Sequence, residues 1–482
     1  MTDRAPGTWT PGQRLLTAGL VFLVTAGAFE GLAVPTVLPA TLAELRGLEL
    51  YGWAFSGFWL SNLVGIAVAG MEADRRGPVP PLVVGALAFA AGLFVAGLAG
   101  SMAWVVAGRV VQGLGAGAMA SITYVAVARG YPPAVQPRMI AVISSAWVLP
   151  GIVGPALAGW ISEAFSWRWA FIGLAPLVPL AAAAVALPLA RLPALPSVEA
   201  ERPVVRGAVA DALALAAGAG LLLAAAGLGQ PLLALGAVAG GTLLAWRPLQ
   251  RLLPPGTLAA RSGRGAAVAT LALVSIAFFG AEAFIPLAVA SVRNAGTIAG
   301  GLALTSAALT WAAGSWIQAR LAGRRSLRSL VVVGLVLIGA GIVVVAAVPI
   351  TSLPPVATAA TAWAIAGLGM GLAYSSTTLV VIASAQPGSE GAASASVQLA
   401  NTLGIAFGTG AAGAIVAWSA TGPLGLAPGI LVADALMLVV VVVAVAAARR
   451  LPATPQSTGP GGPPLWQSAG AASGERGPGL GP

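Results

Sequence analysis

Four polar residues stand inside long apolar stretches of the sequence and are the first candidates for chemistry. They are Glu30, Arg109, Gln112 and Glu282. Arg109 and Gln112 would share one face of a helix, because residues three apart are neighbours on its surface. A charged side chain inside an apolar span is costly and normally faces a partner or a cavity. These four residues are therefore predicted to couple protons or to bind a substrate.

The residue types that are missing narrow the chemistry. The chain has no histidine, no cysteine and no lysine, and all 24 basic residues are arginine. Zinc sites of the usual ligand types, Cys/His or Ser-His-Asp catalysis, and a P-loop with its lysine are thereby excluded. A reversible proton site must be a carboxylate. We predict no enzyme activity, no metal and no cofactor. The expected driving force is the proton gradient.

The composition predicts an all-α integral membrane protein. Of 482 residues, 58% are hydrophobic and 8% are charged, whereas soluble domains carry about 25% charged residues. Fourteen apolar runs, most of them near the ~20 residues that a span requires, are arranged as six, two and six. The eighth run, 231–246, is short and is the weakest of the set.

The runs and the polar stretches between them divide the chain into five parts. The predicted parts are a cytoplasmic tail at 1–13, a six-helix bundle at 14–190, a linker with two additional transmembrane helices at 191–264, a second six-helix bundle at 265–448, and a disordered cytoplasmic tail at 449–482. The last part is rich in proline, glycine and serine, which cannot build a packed core.

The arginines predict the orientation of the spans. With the N-terminus in the cytoplasm, 20 arginines lie at inner ends or loops and three lie outside, at Arg46, Arg168 and Arg293. Positive residues accumulate on the cytoplasmic side of membrane proteins. The net charge of +10 is therefore a topology signal, and nucleic acid is not an expected partner. We predict a multi-pass protein of the plasma membrane with both termini cytoplasmic.

Three motifs follow one another in the first half of the chain. They read Gly70-Met71-Glu72-Ala73-Asp74-Arg75-Arg76-Gly77 after the second span, Arg109-Val110-Val111-Gln112-Gly113-Leu114-Gly115-Ala116 in the fourth, and Gly154-Pro155-Ala156-Leu157-Ala158-Gly159 in the fifth, followed by Trp167-Arg168-Trp169-Ala170-Phe171. In order, they resemble the loop signature, the R-x-x-Q-G-x-G-A motif and the antiporter-type motif of the major facilitator superfamily, in particular its fourteen-span drug:proton antiporter branch.

The motifs have plainer interpretations as well. The first motif, with Gly70, Asp74, Arg75 and Gly77, could be an ordinary cytoplasmic turn instead of a conformational latch. The two basic residues that follow this last glycine in the superfamily's loop signature are absent here. Arg109 could extend towards the outer interface. The third motif, with Gly154, Pro155 and Gly159, could be a packing kink, and its closing glycine pair is reduced because Ala158 replaces the first glycine.

The resemblance implies the major facilitator fold, with two six-helix halves plus a middle helix pair. It also implies a central cavity lined by spans 1, 4, 9 and 12. Glu30 and Glu282 lie on spans 1 and 9, each with a proline four or five residues beyond it. A rise of about 1.5 Å per residue places Glu30, Arg109 and Glu282 in the outer half of the membrane. Glu30 is the first choice for proton coupling and Glu282 the second.

Spans 12 and 13 carry further polar residues that could contact a substrate or their own helix backbone. Those singled out are Tyr374, Ser375, Gln398 and Asn401. Asp211 and Asp434, near span ends, are interpreted as interfacial.

The predicted function is proton-coupled export of lipophilic or cationic small molecules, such as drugs, by a single chain in the lipid bilayer. The alternatives are a transporter of a specific metabolite, exporter or importer, and a membrane receptor or scaffold without transport.

Overall fold

The computed structural model describes most of the chain. It covers residues 10–132, 135–192, 202–225, 227–228, 230–322, 324–385 and 390–452. Most of the predicted N-terminal tail and nearly all of the predicted C-terminal tail lie outside the described residues, as does much of the polar stretch 191–206. The described residues contain helices and no β-strand.

Helices α1 to α8 form the first half and α9 and α10 the middle pair. Their bounds are α1 (Pro11–Leu45), α2 (Tyr51–Arg76), α3 (Val79–Gly97), α4 (Met102–Gly130), α5 (Gln136–Ser145), α6 (Val148–Ala164), α7 (Arg168–Ile172), α8 (Leu177–Ala190), α9 (Arg202–Ala225) and α10 (Pro231–Leu252). The fifth predicted span is divided between α5 and α6, and the sixth between α7 and α8.

Helices α11 to α17 form the second half. Their bounds are α11 (Arg264–Glu282), α12 (Ile285–Leu287), α13 (Thr297–Leu321), α14 (Leu327–Val345), α15 (Pro355–Ala383), α16 (Glu390–Thr421) and α17 (Leu426–Ala448), with a π-helical turn at Ala288–Val292 after α12. Fourteen stretches of helix among the described residues are long and apolar enough to cross a membrane. The all-α fold class with fourteen candidate spans is thereby confirmed.

Local sequence explains where these helices begin and where one of them breaks. At the start of α1, Thr10 Oγ1 accepts from the Gln13 N–H at 3.2 Å, and the Gln13 side chain accepts from the Thr10 N–H at 3.0 Å, a reciprocal cap. The ninth predicted span is not continuous, because α11 ends at Glu282. Pro286 has no N–H for the Glu282 carbonyl, so the helical bond cannot form.

The two halves repeat one pattern of helix contacts. In the first half α4 packs on α2 and α3, and α1 packs on α6 and α8; in the second half α15 packs on α13 and α14, and α11 packs on α16 and α17. The repeat makes α1 and α11 equivalent, as first helices of their halves. It agrees with the sequence, in which the first and ninth spans each carry a glutamate followed by a proline four or five residues later, and parallel repeats of this kind are common in transporters.

The middle pair packs on the outside of the two halves. Helix α9 contacts α10 along its length and also α2 and α16, one helix from each half. Leu223 of α9 meets Leu60 of α2 and Ala406 of α16 in one apolar cluster. On α10, by contrast, Leu232 is 82% exposed and Leu243 is 77% exposed, as expected for side chains that face lipid.

Side-chain and backbone contacts join the two halves at one face of the bundle. We call the face near Pro11, where α1 begins, the proximal face, and the face near Leu45 the distal face. At the distal face the Ile298 N–H of α13 donates to Glu163 Oε1 of α6 at 2.9 Å, and the Tyr51 hydroxyl donates to the Ala283 carbonyl at 3.5 Å. The extensive contacts of α4 and α15 lie within their own halves.

Candidate functional site

Arg109 is the centre of a buried polar cluster in the first half. Arg109 is 2% exposed and Glu30 is 1% exposed. Arg109 Nη1 forms an ion pair with Glu30 and donates to Gln112 Oε1 at 2.6 Å, while Nε donates to the Ala54 carbonyl at 2.9 Å. The guanidinium carbon lies 4.2 Å from the centre of the Phe58 ring. One side chain thus ties together α1, α2 and α4.

The glycines of the fourth span position this cluster. Gly113 lies against the backbone of Phe58, and Gly117 lies against the backbone of Asn62. Small residues allow membrane helices to approach closely, and this approach brings Arg109 under Phe58. The sequence placed Glu30 and Arg109 in the outer half of the membrane and Gln112 on the same helix face as Arg109; the structure brings Arg109 into contact with both. Arg109 is directed into the bundle and does not extend to the distal surface.

Glu282 occupies a different environment in the second half. It is the last residue of α11 and is 8% exposed. Its Oε2 atom has no hydrogen-bond partner among the described residues, and neither does Trp363 Nε1. The two side chains nevertheless lie close enough to interact electrostatically. Of the two acids on α1 and α11 that the sequence singled out, Glu30 is therefore paired with a cation, whereas Glu282 has no ion pair among the described residues.

Aromatic rings from three helices surround the end of α11. The Phe278 ring stacks on Trp363 at 5.0 Å between centroids and meets Trp311 edge-on at 5.7 Å. Phe279 lies 6.2 Å and Tyr374 5.8 Å from Trp311. Phe278 and Trp363 are buried, whereas Phe279, Trp311 and Tyr374 are partly exposed. We call these five side chains the aromatic cluster. Of these five residues, only Tyr374 was a candidate from the sequence.

The other polar candidates of the second half divide into paired and free side chains. The Ser375 hydroxyl lies 3.1 Å from the Ser315 hydroxyl, and the Ser275 hydroxyl donates to Asn401 Oδ1 at 2.8 Å. Both pairs connect helices within the second half. Gln398 is exposed. Their role in substrate binding stays a prediction.

The two acids interpreted as interfacial differ. Asp211 Oδ1 accepts from Arg251 Nη1 at 3.1 Å, in an exposed pair between α9 and α10. Asp434 is only 4% exposed, so the interfacial interpretation is wrong for this residue. Hydropathy gave its depth along α17, but the rotation of α17 turns it inwards, on the same side as Met437, which packs on Gly280 of α11.

The first motif forms the turn between α2 and α3. Gly77 ends α2 with φ of 84°, a conformation that L-residues other than glycine rarely adopt, and Gly70 faces Ser121 of α4. Arg75 pairs with Glu72 at 3.5 Å. Asp74 is exposed and has no ion pair among the described residues. A latch through Asp74 would form in a state in which the proximal face closes.

We expect Asp74→Asn to slow transport several-fold while leaving substrate affinity unchanged. Asp74 lies at the proximal face, far from the Glu30 and Glu282 sites, and a neutral side chain would weaken only a contact made on closure. Substrate binding and initial transport rates of the purified variant would be compared with those of wild type. An equal loss of affinity and rate in a well-folded variant would contradict the latch.

The third motif forms a close contact between the halves at the distal face. Pro155 lies inside α6 and is buried. A Cβ on Gly159 would lie 2.7 Å from Ile298 Cα of α13, whereas a Cβ on Gly154 would lie at an ordinary 3.5 Å from Phe29 Cδ2. Only glycine allows α6 and α13 to meet at position 159.

We expect Gly159→Ala to loosen the distal contact and Gly154→Ala to leave it intact. Overpacking of this kind costs about 1–3 kcal/mol. The chain has no cysteine, so a single Thr36→Cys, at a position that is fully buried beside Gly301, can report opening through maleimide labelling. Labelling should be faster with Gly159→Ala than with Gly154→Ala. Equal rates in both variants would show that this contact does not hold the distal face closed.

A further polar network lies at the distal face. The sequence did not predict that its residues would meet. Glu44 Oε2 accepts from Trp167 Nε1 at 2.8 Å, and Glu44 Oε1 accepts from Arg168 Nη1 at 2.7 Å. Arg168 Nη2 also donates to the Ala99 carbonyl at 3.1 Å. The Trp-Arg part of the third motif therefore joins the ends of α1 and α3 to the start of α7. The feature of the sequence that could have indicated this network is Glu44, an acid at the end of a long apolar helix.

Comparison with known proteins gives the same architecture. A family model described as Major Facilitator Superfamily matches residues 18–409. A probable multidrug-efflux transporter of Mycobacterium tuberculosis is 27% identical over 481 residues, covering 94% of this chain and 100% of that protein. The multidrug transporter protein MdtP of Bacillus subtilis is 26% identical over 159 residues, covering 33% of this chain and 29% of that protein.

Two solved structures share the fold. A bacterial homolog to the human lysosomal transporter Spinster, in an inward-facing and unoccupied conformation, superposes with a TM-score of 0.66 at 16% identity, covering 92% of this chain and 98% of that one. A peptide transporter POT in complex with sulfate superposes with a TM-score of 0.67 at 16% identity, covering 93% and 96%.

Proposed function

The chain belongs to the Major Facilitator Superfamily, whose members are membrane carriers and not enzymes, and from this premise we propose that it exports lipophilic small molecules, including organic cations, in exchange for protons. The proposal places it in the plasma membrane as a monomer with both termini cytoplasmic. The proximal face is then the cytoplasmic face.

The observation that carries this proposal is a buried carboxylate on the first helix of each half. Glu30 lies on α1 and Glu282 on α11, and they are 1% and 8% exposed. Ionisable groups inside membrane helices are expensive and generally serve ion or proton pathways. Because the sequence contains no histidine, a reversible proton site must be a carboxylate, and these two lie buried on the two equivalent helices.

Export is supported by the contact at the distal face and by the relatives. The motif that packs α6 against α13 resembles the antiporter-type motif, and the relative from Mycobacterium tuberculosis that covers almost the whole chain is named a probable multidrug-efflux transporter. The substrate class is supported by the partly exposed rings of Phe279, Trp311 and Tyr374. Flat apolar surfaces of this kind suit lipophilic and aromatic compounds.

Transport by purified protein in proteoliposomes tests the proposal. A fluorescent lipophilic cation such as ethidium would be supplied under an imposed pH gradient, with protein-free liposomes as the control. We expect accumulation against the substrate gradient that an uncoupler abolishes. Accumulation that is indifferent to the uncoupler would contradict proton coupling. Absence of flux for a panel of lipophilic compounds, together with flux of a single polar metabolite, would favour the dedicated metabolite transporter.

A further inference from the structure

A short loop joins the middle helix pair to the second half at the proximal face. We call residues 253–263, which connect α10 to α11, the junction loop. The Arg261 N–H donates to the Gly256 carbonyl at 2.9 Å, and the Ala260 N–H donates to the Thr257 carbonyl at 2.9 Å. Thr257 itself is only 5% exposed. The loop is therefore a folded element with its own hydrogen bonds and buried side chain.

Three arginines from two distant parts of the sequence lie at this loop. Arg261 is part of it, and its side chain lies against Gly256. Arg264 begins α11 directly after the loop. Arg450, which follows α17, donates from Nη1 to the Ala259 carbonyl at 2.8 Å. We call Arg261, Arg264 and Arg450 the junction arginines.

The positive charge of the junction arginines is not balanced within the described part of the chain. No carboxylate there forms an ion pair with any of them, whereas Arg251, at the end of α10, pairs with Asp211 at 3.1 Å. The Nε atom of Arg264 is buried and has no hydrogen-bond partner among the same residues. A buried donor of a charged group is costly without an acceptor, so an anionic oxygen at this loop would be stabilising.

Exposed apolar side chains lie close to these charges. Leu258 of the junction loop is 51% exposed, and Trp246, in the last two turns of α10, is 50% exposed. Tryptophan is enriched where a membrane protein passes through the lipid headgroups, and apolar side chains beside arginines suit the boundary between headgroups and acyl chains. The junction loop is therefore expected at headgroup depth, where an anion that reaches it belongs to a lipid.

We propose that the junction arginines bind the phosphate group of an anionic phospholipid, with its acyl chains beside Leu258. Guanidinium groups match the geometry of phosphate oxygens and donate charge-assisted hydrogen bonds to them. Basic pockets between membrane helices bind anionic headgroups on the cytoplasmic side, and the proximal face is cytoplasmic in the orientation proposed above. The bound lipid then connects the junction loop, the start of α11 and the end of α17.

The test measures binding of phosphatidylglycerol to the purified full-length chain. The protein in a neutral detergent would be titrated with the lipid, and bound lipid would be counted by native mass spectrometry. Phosphatidylcholine with the same acyl chains is the comparison for charge, and glycerol 3-phosphate, without acyl chains, is the comparison for a soluble phosphate ligand. We expect saturable binding of phosphatidylglycerol, roughly tenfold weaker binding of phosphatidylcholine, and no binding of glycerol 3-phosphate at the same concentrations.

Variants of the arginines locate the site. Arg261→Gln, Arg264→Gln and Arg450→Gln should each weaken phosphatidylglycerol binding about fivefold, the factor expected for one arginine beside an anionic headgroup, and the triple variant should weaken it roughly a hundredfold. Arg325→Gln is the matched control, because Arg325 is exposed at the same face, between α13 and α14 and outside the junction loop. Its affinity should stay within about twofold of wild type.

Several results would overturn the lipid site. They are unchanged phosphatidylglycerol affinity in the triple variant, an equal loss of affinity in Arg325→Gln, and equally tight binding of phosphatidylcholine by the wild type. Equally tight binding of glycerol 3-phosphate would identify a soluble phosphate ligand instead of a lipid. If the triple variant aggregates in gel filtration, the three single variants provide the test, since each changes one side chain. Lipid binding is measured without transport, so these results are independent of the proposed function.

Discussion

Arg109→Ala should destabilise the protein by about 3–5 kcal/mol, because removal of one partner from a buried ion pair leaves the other charge uncompensated. In this structure Arg109 is also held by Gln112, the Ala54 carbonyl and the Phe58 ring, so α1, α2 and α4 would lose their common contact. We expect transport to be abolished. The measurements are thermal unfolding in detergent and transport in proteoliposomes.

The double variant Glu30→Gln/Arg109→Gln tests the cause of that loss. Two neutral amides can hydrogen bond to each other and leave no buried charge, so most of the stability should return. The exposed pair of Arg251 and Asp211 supplies the control, because Arg251 is 64% exposed and such pairs contribute about 0–1 kcal/mol. If Arg109→Ala were no more harmful than Arg251→Ala, the buried pair would not be a structural requirement.

Glu282→Gln should remove accumulation of a cationic substrate against its gradient. The amide keeps the shape of the side chain but can neither release a proton nor balance a cation, so an imposed pH gradient would no longer be converted into a substrate gradient. Downhill movement of a neutral lipophilic substrate should continue, because the aromatic cluster is intact. The assay is the steady-state ratio of substrate across the proteoliposome membrane at a fixed pH gradient.

Glu30→Gln is the matched comparison for this prediction. Its carboxylate is equally buried, but its charge is balanced by Arg109, so we expect a slower transporter that still reaches a substrate ratio above equilibrium. The reverse result, with uphill transport lost in Glu30→Gln and kept in Glu282→Gln, would assign coupling to the first half, as the sequence analysis ranked it.

The fourteen candidate spans could be predicted from the sequence because their causes are local. In a bilayer the backbone must satisfy its own hydrogen bonds, so an apolar run of sufficient length becomes a helix whatever its neighbours are. Arg109 and Glu282 were conspicuous for the same reason, since a charge in such a run is costly wherever the helix packs. Pro286 likewise lacks its N–H in any fold, although its effect on α11 was not anticipated.

Only the tertiary structure decided which side chains meet, because helix rotation and helix neighbours depend on packing between distant segments. Small residues such as Gly113 and Gly159 set how closely helices approach, and that approach pairs Glu30 with Arg109 and leaves Glu282 beside Trp363 of α15. The same rotation buried Asp434, which hydropathy had placed at the interface. Hydropathy measures depth along a helix axis; the direction in which a side chain points is decided by the partners that the fold brings to it.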